Sequence, residues 1–236
     1  MFYATAVSGE RATIGGETAE HMRRVLRVEV GQRFEISDGQ RVHLAEVTSF
    51  GKGTVEFSLV EPLPDRRPGA NITVSAALIK FDRFEWLIEK CSELGVRRIV
   101  PVIAARCDTG LDKAAAKRQA RWLRIALESG QQCRRAIPIQ IYEPVAFQAA
   151  LGNGANVRLF LDEAGGEPLL PQCGENEGEV ALLVGPEGGW TEGERAAALA
   201  TGWCAATLGD QILRAETAAI AAVSVVQGVW WSKTGR

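Results

Sequence analysis

Apolar and polar residues alternate along three stretches early in the chain: Arg33-Phe-Glu-Ile-Ser37, Val42–Val47 and Val55–Val60. A period of two is that of a half-buried β-strand. Asp38-Gly39 supplies a turn between the first two. One short helix fits Thr18–Val25, with Thr18 as its N-cap. Together these predict a small β-barrel or barrel-like sandwich over residues 1–68. The stretch Glu61–Gly69, rich in proline and charge, reads as a linker, because proline stiffens the chain and blocks ladder pairing.

Beyond the linker, over residues 69–236, the period changes. Ile72–Ile79 reads as an apolar strand. Asp82 is expected to cap a helix that carries Phe84, Leu87, Ile88, Cys91 and Leu94 on one face, with Gly95 as its stop. Strands are expected at 98–104, 137–142, 157–161, 180–184 and 204–208, and helices at 112–131, 191–199 and 215–231. Thr191 and Glu194 have the spacing of a capping box. Strands alternating with helices mean a mostly parallel sheet covered on both faces, and such sheets bind ligands beyond their carboxyl ends. The run Ala215–Trp231 is interrupted by Ser224, Gln227 and Gly228 and is short for a bilayer, so it reads as a buried helix.

Charge changes this picture only when counted by segment. The chain holds 27 basic and 29 acidic side chains, a net of −2, which argues against a binder held to nucleic acid by bulk charge. Residues 69–145, however, carry 13 basic against 8 acidic groups, and residues 146–236 carry 5 against 11. The basic middle contains Lys113, Lys117, Arg121 and Arg124, which share one face of the helix expected at 112–131, followed by Arg134 and Arg135. Such a stripe is either a solvated face or a grip on phosphates. Five scattered cysteines without a C-x-x-C fit reduced thiols in a cytoplasmic protein. The start of the chain lacks the pattern of a signal peptide. Two histidines without spaced carboxylates make a catalytic metal site unexpected.

The chemistry gathers at two strand ends. Val180–Val184 runs into Gly185-Pro-Glu-Gly-Gly189 and then Trp190 and the capped helix. Glycines allow φ > 0 and close approach of a ligand, and a helix start presents free N–H groups. The pattern is neither a P-loop nor a G-x-G-x-x-G fingerprint, so it reads either as a ligand loop or as an ordinary tight turn. The second stretch is Leu208-Gly-Asp-Gln-Ile-Leu-Arg-Ala-Glu-Thr217. Leu208, Ile212 and Leu213 would wall an apolar pocket; Thr217 would cap the last helix and Arg214 pair with Glu216. A third group, His21, Arg24 and Arg27, suits phosphate contact from the β-rich part. The tryptophans read mainly as core, with Trp190, beside the glycine loop, set apart.

GPEGGW at 185–190 followed by LGDQILRAET at 208–217 resembles the paired C-terminal motifs of the SPOUT methyltransferases. HMRRVLR at 21–27, Lys80, CSELGV at 91–96 and QQCRR at 131–135 narrow the resemblance to the RsmE-type enzymes, which methylate N3 of a uridine in 16S ribosomal RNA. The resemblance implies an α/β protein: an N-terminal PUA-like β-barrel, and a C-terminal SPOUT domain with a parallel sheet and a deep trefoil knot. It implies a homodimer, and S-adenosylmethionine held by Leu161, Gly185, Glu187, Gly188, Gly189, Leu208, Ile212, Leu213 and Ala218. Arg214 is the candidate for stabilising charge on the uracil and Glu216 for handling its proton. His21, Arg24, Arg27, Lys80, Lys117, Arg121, Arg124, Arg134 and Arg135 would contact RNA. Competing readings are a SPOUT enzyme acting at another RNA position and a non-catalytic RNA-binding assembly factor.

Overall fold

The computed structural model describes residues 1–64, 69–173 and 178–233. The chain forms two compact units, one of Met1–Arg67 with Gly130–Pro138, the other of Pro68–Ser129 with Ile139–Arg236. Of the linker expected at 61–69, residues 65–68 lie outside the described residues.

The first unit contains β1 (Phe2–Tyr3), β2 (Ala6–Ser8), β3 (Arg11–Gly15), α1 (Gly16–Arg24), β4 (Arg33–Ser37), β5 (Val42–Phe50) and β6 (Thr54–Pro62). Its sheet has the order β1-β4-β5-β6-β3-β2. The two edge strands are thus nearest neighbours along the chain. The link from Tyr3 to Ala6 reaches about 11 Å at most. In a flat six-stranded sheet those edges would lie about 24 Å apart. The sheet therefore curls. Alternate residues of β3, β5 and β6 (Ala12, Ile14, Ala45, Val47, Val55, Phe57) fill its inside with Met22 of α1. The Asp38-Gly39 turn forms as expected: Asp38 Oδ1 accepts the N–H groups of Gln40 and Arg41 at 2.7 Å, and Gly39 has φ +92°. Thr18 is not a cap. Gly16, at φ +65°, makes the turn from β3 directly into α1, so Gly15 is the N-cap and Thr18 lies inside the helix.

Residues 130–138 belong to this unit, although no local pattern marks them as part of it. The Tyr3 hydroxyl donates to the Arg135 carbonyl at 2.8 Å, and the Ser37 hydroxyl to that of Ala136 at 2.6 Å. Arg134 pairs with Glu35 at 3.4 Å. Because residues up to Pro138 go with the first unit, the strand expected over 137–142 shrinks to β9 below. Burial pushes the Tyr3 phenol up to about 12. A phenol raised in this way contributes stability that is complete below its unfolded value of about 10 and is lost as pH climbs through about 12. Tyr142→Phe leaves Tyr3 as the only phenol of the chain. Its absorbance titration should then show a midpoint near 12 in the folded state. A midpoint near 10, the free-phenol value, would mean that Tyr3 is not buried against Arg135.

The second unit contains β7 (Asn71–Ala77), α2 (Phe81–Glu93), β8 (Arg98–Ile103), α3 (Leu111–Gln132, whose last residues belong to the first unit), β9 (Gln140–Ile141), β10 (Val145–Ala146) and α4 (Phe147–Ala150). Then come β11 (Val157–Leu161), β12 (Glu167–Pro168), α5 (Leu169–Gln172), β13 (Glu179–Val184), α6 (Glu192–Ala200), β14 (Cys204–Thr207) and α7 (Ala215–Lys233). All strand pairs are parallel, in the order β10-β8-β7-β13-β11-β14-β12, with β9 beside β8. The alternation of side chains divides the core between two faces. Val180, Leu182 and Val184 of β13 pack with α2, α3 and α7, while Ala181 and Leu183 pack with Phe147, Trp190 and Trp203.

Helix ends show what sequence spacing resolves. Gly95 stops α2 in a Schellman motif: φ is +85°, its N–H reaches the Ser92 carbonyl and that of Val96 reaches Cys91. Asp82, however, is not the cap. Strand β7 exits through Lys80, whose extended backbone makes it the N-cap, so Asp82 falls in the first turn. Thr191 and Glu194 form the expected capping box. Gln227, which interrupts the apolar run of α7, is buried and paired. Its Oε1 accepts the Ala70 N–H at 3.0 Å and its Nε2 donates to the Leu94 carbonyl at 3.0 Å. No helix among the described residues is long and apolar enough to cross a membrane.

Candidate active site

Strands β13, β11 and β14 are neighbours in the parallel sheet, so their carboxyl ends open onto one place. A cavity of about 300 Å³ lies there, lined by Leu161–Glu163, Val184–Gly189, Ala206–Leu213, Ala215 and Ala218. Every residue expected around a cofactor from the sequence (Leu161, Gly185, Glu187, Gly188, Gly189, Leu208, Ile212, Leu213, Ala218) is on this wall. Leu208 is half-buried, whereas Ile212 is 84% exposed.

The glycine loop is held from behind. Gly189 has φ +67° and its N–H closes a turn on the Pro186 carbonyl at 2.9 Å. A Cβ on Gly185 would stand 3.0 Å from the Trp190 ring. Trp190 is wholly buried, not a ligand-facing residue set apart from the core, and its Nε1 donates to the Leu161 carbonyl at 2.9 Å. One indole therefore ties the end of β11 to the end of β13. Among the other tryptophans, Trp122 and Trp203 are core, whereas Trp86 and Trp231 are exposed. Arg106 straps the same loop, donating to the Gly188 carbonyl at 2.8 Å. Glu194 does double duty: Oε2 closes the capping box and Oε1 accepts the Ala105 N–H at 2.8 Å.

Charge on the wall is of one sign. The ionisable side chains lining the cavity, among the described residues, are Asp162, Glu163, Glu187 and Asp210. Asp162 is buried and both its oxygens accept from Arg195, at 2.7 and 3.0 Å. That hydrogen-bonded pairing pushes the Arg195 guanidinium above its ordinary value. The Nη2 that serves Asp162 also donates to Glu163 Oε1, at 3.2 Å. Asp162 and Glu163 were within reach of sequence reasoning, since they follow a strand end as Gly185 does. Arg106 and Arg195 carried no local signal.

At the start of α7 the structure departs from the sequence expectation. Arg214 is exposed, with its carbonyl accepting the Ala218 N–H at 2.8 Å, and so occupies the N-cap position. Thr217 lies inside the helix instead of capping it, because the helix already begins at Ala215. Arg214 does not pair with Glu216. Glu216 is buried, is not among the lining residues, and faces Arg83 of α2, with Nε to Oε1 at 3.9 Å. Its second oxygen is buried with no hydrogen-bond partner among the described residues.

The side chains expected to face RNA are divided between the units. His21, Arg24, Arg27, Arg134 and Arg135 are in the first. His21, Arg24 and Arg27 are exposed on or just after α1, with Arg24 paired to Glu20. Arg135 is half-buried, its Nε donating to the Ile137 carbonyl. In the second unit Lys80 is exposed at the start of α2, and Lys113, Lys117, Arg121 and Arg124 are exposed along α3. The α3 stripe is partly neutralised: Arg121 meets Glu85 and Arg124 meets Glu128, each at 2.8 Å.

Residues 66–227 match the family model of the RNA methyltransferase domain, and residues 14–60 that of the RNA methyltransferase PUA domain. The chain is 30% identical to ribosomal RNA small subunit methyltransferase E of Synechocystis sp., over 97% of this chain and 78% of that protein. It is 31% identical to the protein of that name from Mycobacterium tuberculosis, over 96% and 90%. Among solved structures, ribosomal RNA small subunit methyltransferase E from Neisseria gonorrhoeae, bound to S-adenosyl methionine, superposes with a TM-score of 0.85 at 30% identity, covering 97% of each chain. With a family model matching residues 66–227 and relatives of one name at 30 and 31% identity, the chain belongs to the ribosomal RNA small subunit methyltransferase E family.

Proposed function

We propose that the protein transfers the methyl group of S-adenosylmethionine to N3 of a uridine in 16S ribosomal RNA. The observation that carries this reading is the cavity where the glycine loop meets the Leu208–Ala218 segment. Its residues fit the cofactor. The lining carboxylates suit a sulfonium cation, Gly185 and Gly189 keep backbone close to the ligand, and Leu208, Ile212 and Leu213 offer faces for a flat ring. The methyl group is already activated as a sulfonium when bound, so the chain's own part is alignment and control of charge. Arg214, beside the lining residues Leu213 and Ala215, would stabilise negative charge on the uracil carbonyls as the N3 proton leaves. Glu216 would assist proton handling, from its buried position two residues after that arginine. The trefoil knot belongs to the same reading, and the insertion of β14 between β11 and β12 supports it. So does the homodimer, since Ile220, Ala221 and Val225 of α7 keep part of their surface uncovered.

Substrate and position are tested together by mass spectrometry of 16S ribosomal RNA from a deletion strain. The expected result is one methyl group lost from uridine N3 and restored by the wild-type gene. A methyl lost elsewhere would move the reading to another RNA position. No lost methyl, with no binding of S-adenosylmethionine by the pure protein, would leave a non-catalytic RNA-binding factor.

The α3 stripe and the first-unit cations would hold phosphates. Replacing Lys117, Arg121 and Arg124 together by alanine should weaken RNA binding and flatten its dependence on salt. Each lost contact lowers the slope by about 0.7 for a single strand. An unchanged slope would return the stripe to a solvated face.

A further inference from the structure

Arg83 is not part of the cavity wall, yet it reaches both segments that build it. It projects from α2. Its Nη1 lies 3.3 Å from Glu187 Oε1 on the glycine loop, and its Nε lies 3.9 Å from Glu216 Oε1 at the start of α7. Those two segments come from different parts of the chain, with α6 and β14 between them in sequence. We propose that Arg83 is a positioning residue that uses two different nitrogens to hold the glycine loop and the Arg214-bearing turn in the one spacing at which methyl donor and acceptor meet. The inference rests on the S-adenosylmethionine-dependent reading above.

The two arms differ in kind. Glu187 is a third exposed, so its pairing has little strength and acts chiefly by orienting the loop. Glu216 is 7% exposed, and its other oxygen has no partner. A buried carboxylate in that state needs a facing charge. The N-terminus of α7 supplies part of it and Arg83 the rest. Removing Arg83 would leave Glu216 uncompensated and free the first turn of α7, and with it the direction of Arg214. A guanidinium serves two acceptors from a rigid fork, whereas an ammonium offers a single point of charge.

Binding of S-adenosylmethionine by calorimetry and single-turnover methylation at saturating cofactor separate the arms. Arg83→Gln should weaken cofactor binding and slow the step, each by about tenfold. Once Glu187→Gln is present, Arg83→Gln should add less than about twofold to the loss of affinity, and once Glu216→Gln is present, less than about twofold to the loss of rate. Arg83→Lys, which keeps the charge if the glutamine variant does not fold, should fail to recover affinity and rate together. Additive losses in both cycles, unaltered binding and rate in Arg83→Gln, or full recovery of both by lysine would overturn the inference. A wild-type protein that binds no S-adenosylmethionine would instead overturn the reading on which it rests.

Discussion

Arg214→Ala is expected to slow methyl transfer about 10²–10³-fold in a single turnover, with binding of S-adenosylmethionine changed by less than about threefold. The separation follows from where the residue stands. Leu213 and Ala215 line the cavity, but Arg214 between them does not; it is exposed at the N-cap position of α7. Its loss removes no wall and buries no unsatisfied group, so the protein should fold and hold its cofactor. What disappears is a cation able to meet the uracil carbonyls as N3 gives up its proton. Such a group acts on charge that develops only during reaction, so it changes rate more than affinity. Arg214→Lys keeps the charge without the planar fork and should fall between. Raising the pH should narrow the deficit, because a uracil already losing its proton needs less help. A single-turnover rate equal to wild type in the alanine variant would remove the role assigned to Arg214.

The legibility of this site from sequence was uneven for a physical reason. The mainly apolar stretch at 72–79 and the unbroken apolar run at 180–184 announce strands buried on both faces, and parallel strands present ligands at their carboxyl ends. Gly185–Gly189 and Leu208–Leu213 could therefore be chosen on local grounds, and the structure draws them to one cavity. Arg83 and Arg106 could not. They meet the glycine loop across 104 and 82 residues of chain, and nothing near either arginine records that partner. The docking of residues 130–138 in the first unit is equally non-local, resting on Tyr3 and Ser37. Caps failed in another way. Thr18 and Asp82 have capping side chains, but a cap is also a backbone conformation, and Gly16 and Lys80 set where each helix begins. Strands β1 and β2 span two and three residues, too few to show a period.

Trp190→Ala is expected to destabilise the second unit by about 3–5 kcal/mol. Cofactor binding should be lost with it. Trp190 has no exposed surface, and its ring packs 5.3 Å from that of Phe147 and 5.5 Å from that of Phe160, centre to centre. Alanine would leave a void beneath Gly185, whose backbone rests against the indole. It would also strand the Leu161 carbonyl, which accepts the indole N–H. Leu161 and Gly185 lie on two walls of one cavity, so losing the brace between them should cost affinity as well as stability. Trp190→Phe separates the two contributions. It restores most of the packing but not the donor, so it should cost only about 1–3 kcal/mol, the range for an unsatisfied buried acceptor. Denaturant unfolding without ligand measures the first quantity and titration with S-adenosylmethionine the second. If the phenylalanine variant binds as tightly as wild type, the indole is filler and its hydrogen bond does not set the spacing of the walls. If alanine costs less than about 1 kcal/mol, the surrounding aromatics have closed over the gap and the brace lies elsewhere.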